Sequence, residues 1–224
     1  RTNVAGTARL VQAAAKQQPP PRFLLLSSLA AREPQLSHYA ASKFNGEKAL
    51  AGNSGEMFWG ILRPPAVYGP GDREMRPVFQ WMFRGVAPLI GSETNRVSLL
   101  YAEDLAEAIV CWLDNGQHSQ RIYELHDGHP GGYSWQEIIG VVERLRGKSI
   151  FKANIPVPLV QMVSSLNLMG AKLFGGSPML TPGKVMELTH PNWVADNYRM
   201  TSEMGWLPQF SLEEGLRQTF NLDV

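Results

Sequence analysis

The sequence predicts an α/β fold: part of a parallel, doubly wound sheet followed by a smaller, mostly helical lobe. Three observations carry this expectation. Two short, continuously apolar runs, Phe23–Leu26 and Met57–Leu62, have the pattern of parallel strands covered on both faces. A helical stretch between them completes a βαβ unit, whose crossover is right-handed. Beyond residue 125 helical periodicity dominates, rich in Trp, Met and Pro and irregularly connected. The expected division is therefore 1–125 for the sheet and 126–224 for the helical lobe.

Taken in order, residues 1–15 are already helical, with Val4, Leu10 and Val11 in a stripe, and the proline run before Arg22 ends that helix. Phe23–Leu26 is the first strand. Ser27 and Ser28 close it, a loop follows, and a helix bearing Tyr39 and Lys43 runs to about Leu50. The turn Ala51–Gly55 leads to the second strand and then to a loop, Pro64–Gly71. Pro77–Gly85 reads as a helix, Val97–Tyr101 as a strand, Glu103–Leu113 as an amphipathic helix opening on carboxylates, and Arg121–Leu125 as a strand. Ser134 and Glu137 have capping-box spacing. Pro156–Phe174 and Pro182–Leu188 are expected to be helices with proline near the start, and Ser211 opens the last one.

Bulk properties narrow the function classes. The chain has 224 residues and a net charge of +1, which gives no field favouring nucleic acid or an anionic membrane. The longest apolar stretch, Ile155–Phe174, is interrupted by Gln161, Asn167 and Lys172, so no membrane span is expected. The single cysteine, Cys111, cannot form an intrachain disulfide and reads as a buried free thiol. Neither a signal nor a transit pattern is visible, and the expectation is a cytoplasmic protein acting on a small molecule.

The chemistry gathers on one rim. In parallel sheets, ligands lie beyond the carboxyl ends of the strands. Ser28 and the Pro64–Gly71 loop both follow strand ends, so they belong together. Tyr39 and Lys43 are one helical turn apart and face the same way. Tyr-x-x-x-Lys alone is weak, with roughly 0.2 chance occurrences expected in this composition; its setting between two strands gives it weight. A free phenol has a pKa of about 10. A neighbouring ammonium, together with an oxidised nicotinamide, would lower it, letting Tyr39 exchange a proton with an alcohol or carbonyl oxygen that Ser28 also holds. His126 and His129 lack a third convergent ligand, so no metal site is expected. Asp104 reads as a helix start and His38 as an exposed loop residue.

Asn3-Val4-Ala5-Gly6-Thr7, Leu26-Ser27-Ser28, Tyr39-Ala40-Ala41-Ser42-Lys43, Arg63-Pro64-Pro65-Ala66-Val67-Tyr68-Gly69-Pro70 and Tyr101-Ala102-Glu103-Asp104-Leu105-Ala106 occur in order, followed by Gly205-Trp206-Leu207-Pro208 and Ser211–Leu216. This series resembles the extended short-chain dehydrogenase/reductase family, the NAD-dependent epimerase/dehydratase group. The resemblance implies the C-terminal part of a Rossmann-like sheet, with residues 1–125 a partial dinucleotide-binding domain and 126–224 a substrate lobe. It implies that Ser28, Tyr39 and Lys43 are catalytic, that Lys43 also holds the nicotinamide ribose of NAD or NADP, and that Pro65–Val67 and Asn3 line the cofactor. A homodimer is implied as well, built on the helix that bears Tyr39 and Lys43.

Two departures from the family pattern matter. No glycine-rich strand-turn-helix for the pyrophosphate precedes the opening helix. The chain is therefore expected to be a fragment, inactive alone and a poor binder of NAD(P). Ala66 stands where nucleotide-sugar members place asparagine, and Arg96 is one position out of register for their diphosphate arginine. The pattern is closer to the branch of 3β-hydroxysteroid dehydrogenases, with an apolar pocket expected from Trp81, Met82, Met162, Leu166 and Met169. A nucleotide-sugar epimerase or dehydratase is the alternative enzyme, and a non-catalytic dinucleotide-binding subunit the alternative class.

Overall fold

The computed structural model describes residues 2–174 and 180–222. One π-helical turn, Thr2–Gly6, runs into α1 (Thr7–Ala15), followed by β1 (Phe23–Leu26), a 3-10 turn at Leu29–Arg32, and α2 (His38–Asn53). Then come β2 (Trp59–Arg63), β3 (Ala66–Tyr68), α3 (Met75–Phe83), β4 (Val86–Ile90), β5 (Arg96–Val97), β6 (Leu99–Tyr101) and α4 (Ala102–Asn115). The remainder is β7 (Arg121–Glu124), β8 (Tyr133–Ser134), α5 (Trp135–Arg146), β9 (Phe151–Ile155), α6 (Val157–Phe174), α7 (Pro182–Thr189), β10 (Asn192–Trp193), α8 (Tyr198–Met204) and α9 (Leu212–Phe220).

The expected α/β architecture is present. β1, β2 and β7 form a parallel sheet in that order, with Leu24 opposite Gly60 and Gly60 opposite Arg121. Apolar side chains leave both faces, as the unbroken runs predict. On one side Val11, Leu50, Met57, Trp59 and Ile61 seal the sheet against α1 and α2. On the other, Leu62, Leu100, Trp112, Tyr123, Met200 and Trp206 pack beneath α4 and α8. Gly60 is required there, because a β-carbon on it would lie 2.6 Å from the Trp112 indole nitrogen. A third core unites Tyr68, Phe79, Met82, Leu99, Tyr101, Ile138, Val142 and Leu216. β1 has a paired neighbour on one side only among the described residues, and Leu26 at its end is 45% exposed.

Several elements differ from expectation. α2 continues to Asn53, where the Asn53 amide donates to the Ala49 carbonyl at 2.7 Å and holds the last turn. Val97–Tyr101 is split at Ser98, whose hydroxyl accepts from the Ala195 amide at 3.0 Å. The loop after Pro64 contains β3, paired with β6. β4 and β9 form a parallel ribbon that the sequence hides, since Pro88 interrupts one strand and Lys152 and Asn154 dilute the other. Of the expected pocket wall, Met82 is fully buried core, whereas Trp81, Met162, Leu166 and Met169 are exposed.

Candidate active site

The site starts where β1 stops. Ser28 leaves the strand in extended backbone, and its hydroxyl accepts from the Ala30 amide at 3.2 Å, capping the 3-10 turn. The Leu29 amide donates to the Pro64 carbonyl at 2.8 Å, which ties this turn to the end of β2. Ser37 then caps α2, accepting from the Ala40 amide at 2.9 Å. The capped helix delivers Tyr39 and Lys43 one turn apart on the carboxyl rim of the sheet. The Ser28 side chain is near enough to the Tyr39 phenol to lower its pKa.

Lys43 lies on the same side of α2 as Tyr39, as its spacing suggests. Its ammonium donates to the Leu26 carbonyl at 3.2 Å and lies 5.8 Å from the centroid of the Tyr39 ring. It therefore faces a small cavity of about 30 Å³ bounded by Asn3, Thr7, Leu25, Leu26 and Ser27. Asn3 reaches this cavity from the opening helical turn and donates to the Ser42 hydroxyl at 3.0 Å. The close approach is possible because residue 46 is glycine: a β-carbon there would come within 2.6 Å of the Asn3 carbonyl oxygen. Pro65 and Val67 follow the end of β2 on the same rim, Val67 paired with Leu100 in β3.

Electrostatics favour the neutral phenol. Burial raises the Tyr39 pKa above its usual value, the Ser28 hydrogen bond lowers it, and Glu74, Lys184 and Glu187 act through charge. Among these charges the one that lowers the phenol's pKa is Lys184 of α7. Burial lowers the Lys43 pKa, and Glu47 one turn further along partly restores it.

Glu47 is the site-supporting residue that motif reading misses. It is buried, accepts from the Ser27 hydroxyl at 2.5 Å, and takes both Nε and Nη2 of Arg63 at 2.9 and 2.5 Å. One carboxylate thus clamps α2 to the ends of β1 and β2. A glutamate on the sheet-facing side of a helix was the available signal, because carboxylates are seldom buried unless paired.

The remaining polar candidates have structural partners. Asp104 is buried and accepts from the Gln209 and Phe210 amides, tying the start of α4 to the C-terminal segment. Asp127 accepts from the Tyr133 hydroxyl at 2.7 Å, and His129 stacks on the Tyr133 ring at 4.0 Å. Among the described residues no cluster of three or more His, Cys, Asp or Glu is arranged to hold a metal ion, and no helix is long and apolar enough to cross a membrane.

Comparison with known proteins gives this geometry a context. The chain is 34% identical over 198 residues to a ceramide reductase of Caulobacter vibrioides, which covers 88% of this chain and 61% of the relative. It is 27% identical to 3beta-hydroxysteroid-dehydrogenase/decarboxylase isoform 1 of Arabidopsis thaliana, over 82% of this chain and 45% of that protein. In fold it matches the UDP-glucuronic acid 4-epimerase of Bacillus cereus, crystallised with UDP-glucuronic acid and NAD, with a TM-score of 0.72 at 19% identity, covering 98% of this chain and 66% of the other. The chain thus spans less than two thirds of each of these three proteins. Residues 1–125, which include Asn3, Ser28, Tyr39, Lys43, Glu47, Arg63, Pro65, Val67 and Glu74 but not Lys184 or Glu187 of α7, match the family model for the NAD dependent epimerase/dehydratase family. The chain belongs to the NAD dependent epimerase/dehydratase family.

Proposed function

We propose that this chain carries the proton-transfer half of an NAD(P)-dependent oxidoreductase that reduces a ketone, or oxidises a secondary alcohol, on an apolar substrate. The observation that carries the proposal is the placing of Ser28, at the carboxyl end of β1, beside the start of the capped helix that bears Tyr39 and Lys43, with Lys43 bonded to the Leu26 carbonyl and Ser28 lowering the Tyr39 pKa. Tyr39, held neutral, gives its proton to a carbonyl oxygen as that oxygen gains charge, and Ser28 hydrogen-bonds the same oxygen. NAD or NADP supplies the hydride when bound. Lys43 and Asn3, beside the cavity at the end of β1, fit the ribose end of a dinucleotide, with Pro65 and Val67 toward the nicotinamide. Ceramide and steroids, named for two of the relatives, are both largely apolar substrates. The exposed Met162, Leu166 and Met169 give the second lobe apolar surface of the same character.

The nucleotide-sugar reading is weaker. Arg96, the nearest candidate for a diphosphate, is already engaged with the Gly131 and Gly132 carbonyls and with Glu137 at 3.5 Å. A purely structural role leaves the Ser28–Tyr39 pair without a purpose. The test is cofactor-coupled turnover on long-chain ketones, steroid ketones and UDP-sugars. Reduction of an alkyl or steroid ketone is expected, slowed about 10²–10⁴-fold by Tyr39→Phe. Near-normal turnover in that variant, or turnover of UDP-sugars alone, would overturn the proposal.

A further inference from the structure

The turn that opens α7 is seated directly on the start of the catalytic helix. Gly183 lies so close to Ser37 that a β-carbon on it would be 2.8 Å from the serine Cβ and 3.0 Å from its Cα. The Ser37 hydroxyl, besides capping α2, donates to the buried Glu187 carboxylate of α7. Glu187 is fixed in turn, because its backbone carbonyl accepts from the Trp193 indole at 2.8 Å. Lys184 projects from the same turn, with its ammonium 3.4 Å from Glu74 and 3.5 Å from Glu187. Three helix starts, those of α2, α3 and α7, therefore meet around one lysine, and Tyr39 lies two residues along the chain from the Ser37 cap on which α7 is seated.

We infer that Lys184 is a positioning residue of the catalytic site: seating α7 on Ser37 places a positive charge opposite Tyr39, so the acid/base group is set only when this lobe is docked. The inference rests on Tyr39 being the proton-transfer group. Charged and titratable neighbours of the phenol are Ser28 at the end of β1, Lys43 and exposed His38 on α2, Glu74 ahead of α3, and Lys184 and Glu187 on α7. Glu74 and Glu187 both favour the protonated phenol, and Lys184 opposes them. Removing Lys184 leaves the charges of Glu74 and Glu187 acting on the phenol, with Lys43, 5.8 Å from its ring, as the remaining neighbouring cation. The Glu74 carboxylate is 73% exposed and easily rearranged, whereas Glu187 is held on both sides. The lysine's place is thus fixed by α7 itself.

The test reads the phenol directly. The tyrosinate absorbance of the protein, minus that of Tyr39→Phe, isolates the Tyr39 titration. Lys184→Met should raise its midpoint by about one unit, whereas Lys184→Arg, charged throughout, should leave it at or below the starting value. Glu74→Gln, on an exposed side chain, should lower it. Gly183→Ala, which keeps Lys184 but pushes α7 off Ser37, should move the midpoint as Lys184→Met does. If the Met and Arg variants titrate together, or Gly183→Ala leaves the midpoint unmoved, the inference fails. Because no turnover is measured, its failure is distinct from failure of the functional reading, which Tyr39→Phe kinetics decide alone.

Discussion

A phenol that its surroundings keep protonated is a donor at every physiological pH, and that decides how Tyr39 is read. Burial raises its pKa, so reduction, which needs the neutral form, should proceed at nearly constant rate from about pH 6 to 9. Oxidation needs the phenolate and should climb with pH over the same range. A reductive rate that rises steeply with pH would contradict this. The sign carries over to stability: the folded phenol binds its proton more tightly than the unfolded one. Stability should therefore fall as pH rises past about 10, the unfolded value, and fall less steeply in Tyr39→Phe when followed by denaturant melts. Ser28→Ala removes both the partner that lowers the phenol's pKa and the donor to the substrate oxygen. It should cost about 10²-fold in kcat, in line with loss of one oxyanion donor. Ser28, Tyr39 and Lys43 are legible in the sequence because strand end and helical spacing name them. The charge of Lys184 on the phenol is not, since Lys184 lies 145 positions from Tyr39 and only packing of α7 unites them.

Elements that cap themselves are the ones the sequence describes well. Ser134 with Glu137 and Ser211 with Glu214 form complete capping boxes, each written within four residues. Long-range pairings are hidden. β4 and β9 are separated by 60 residues; Pro88 disguises the first as a non-strand, and Lys152 and Asn154 dilute the second. The Glu47–Arg63 clamp is hidden for the same reason. Its side chains are 5% and 13% exposed, so replacing only one partner leaves a buried charge unmatched. Glu47→Gln should destabilise the protein by about 3–5 kcal/mol, and the double change Glu47→Gln, Arg63→Met by much less. Equilibrium urea melts of the single and double variants measure this; equal losses in both would show that the clamp contributes nothing as a pair.

At the scale of the molecule, two covered faces made the sheet readable, since β1 and β2 have no polar face to disguise them. What composition could not reveal is how the sheet is bounded. β1 turns the backbone N–H and C=O of Leu24 and the N–H of Leu26 to a side with no strand against it among the described residues, while the Leu26 carbonyl accepts from Lys43. The strand's own side chains do little to guard that row: all four are apolar and none is proline or a charge. Such an edge is a template for any extended peptide, including another copy of itself. Residues 1–224 prepared as a polypeptide should therefore aggregate with rising concentration, and Leu26→Lys, a charge at the exposed end of the strand, should slow the rise in light scattering. The strand that leads to Ser28 is thus also an edge at which this polypeptide can associate with itself.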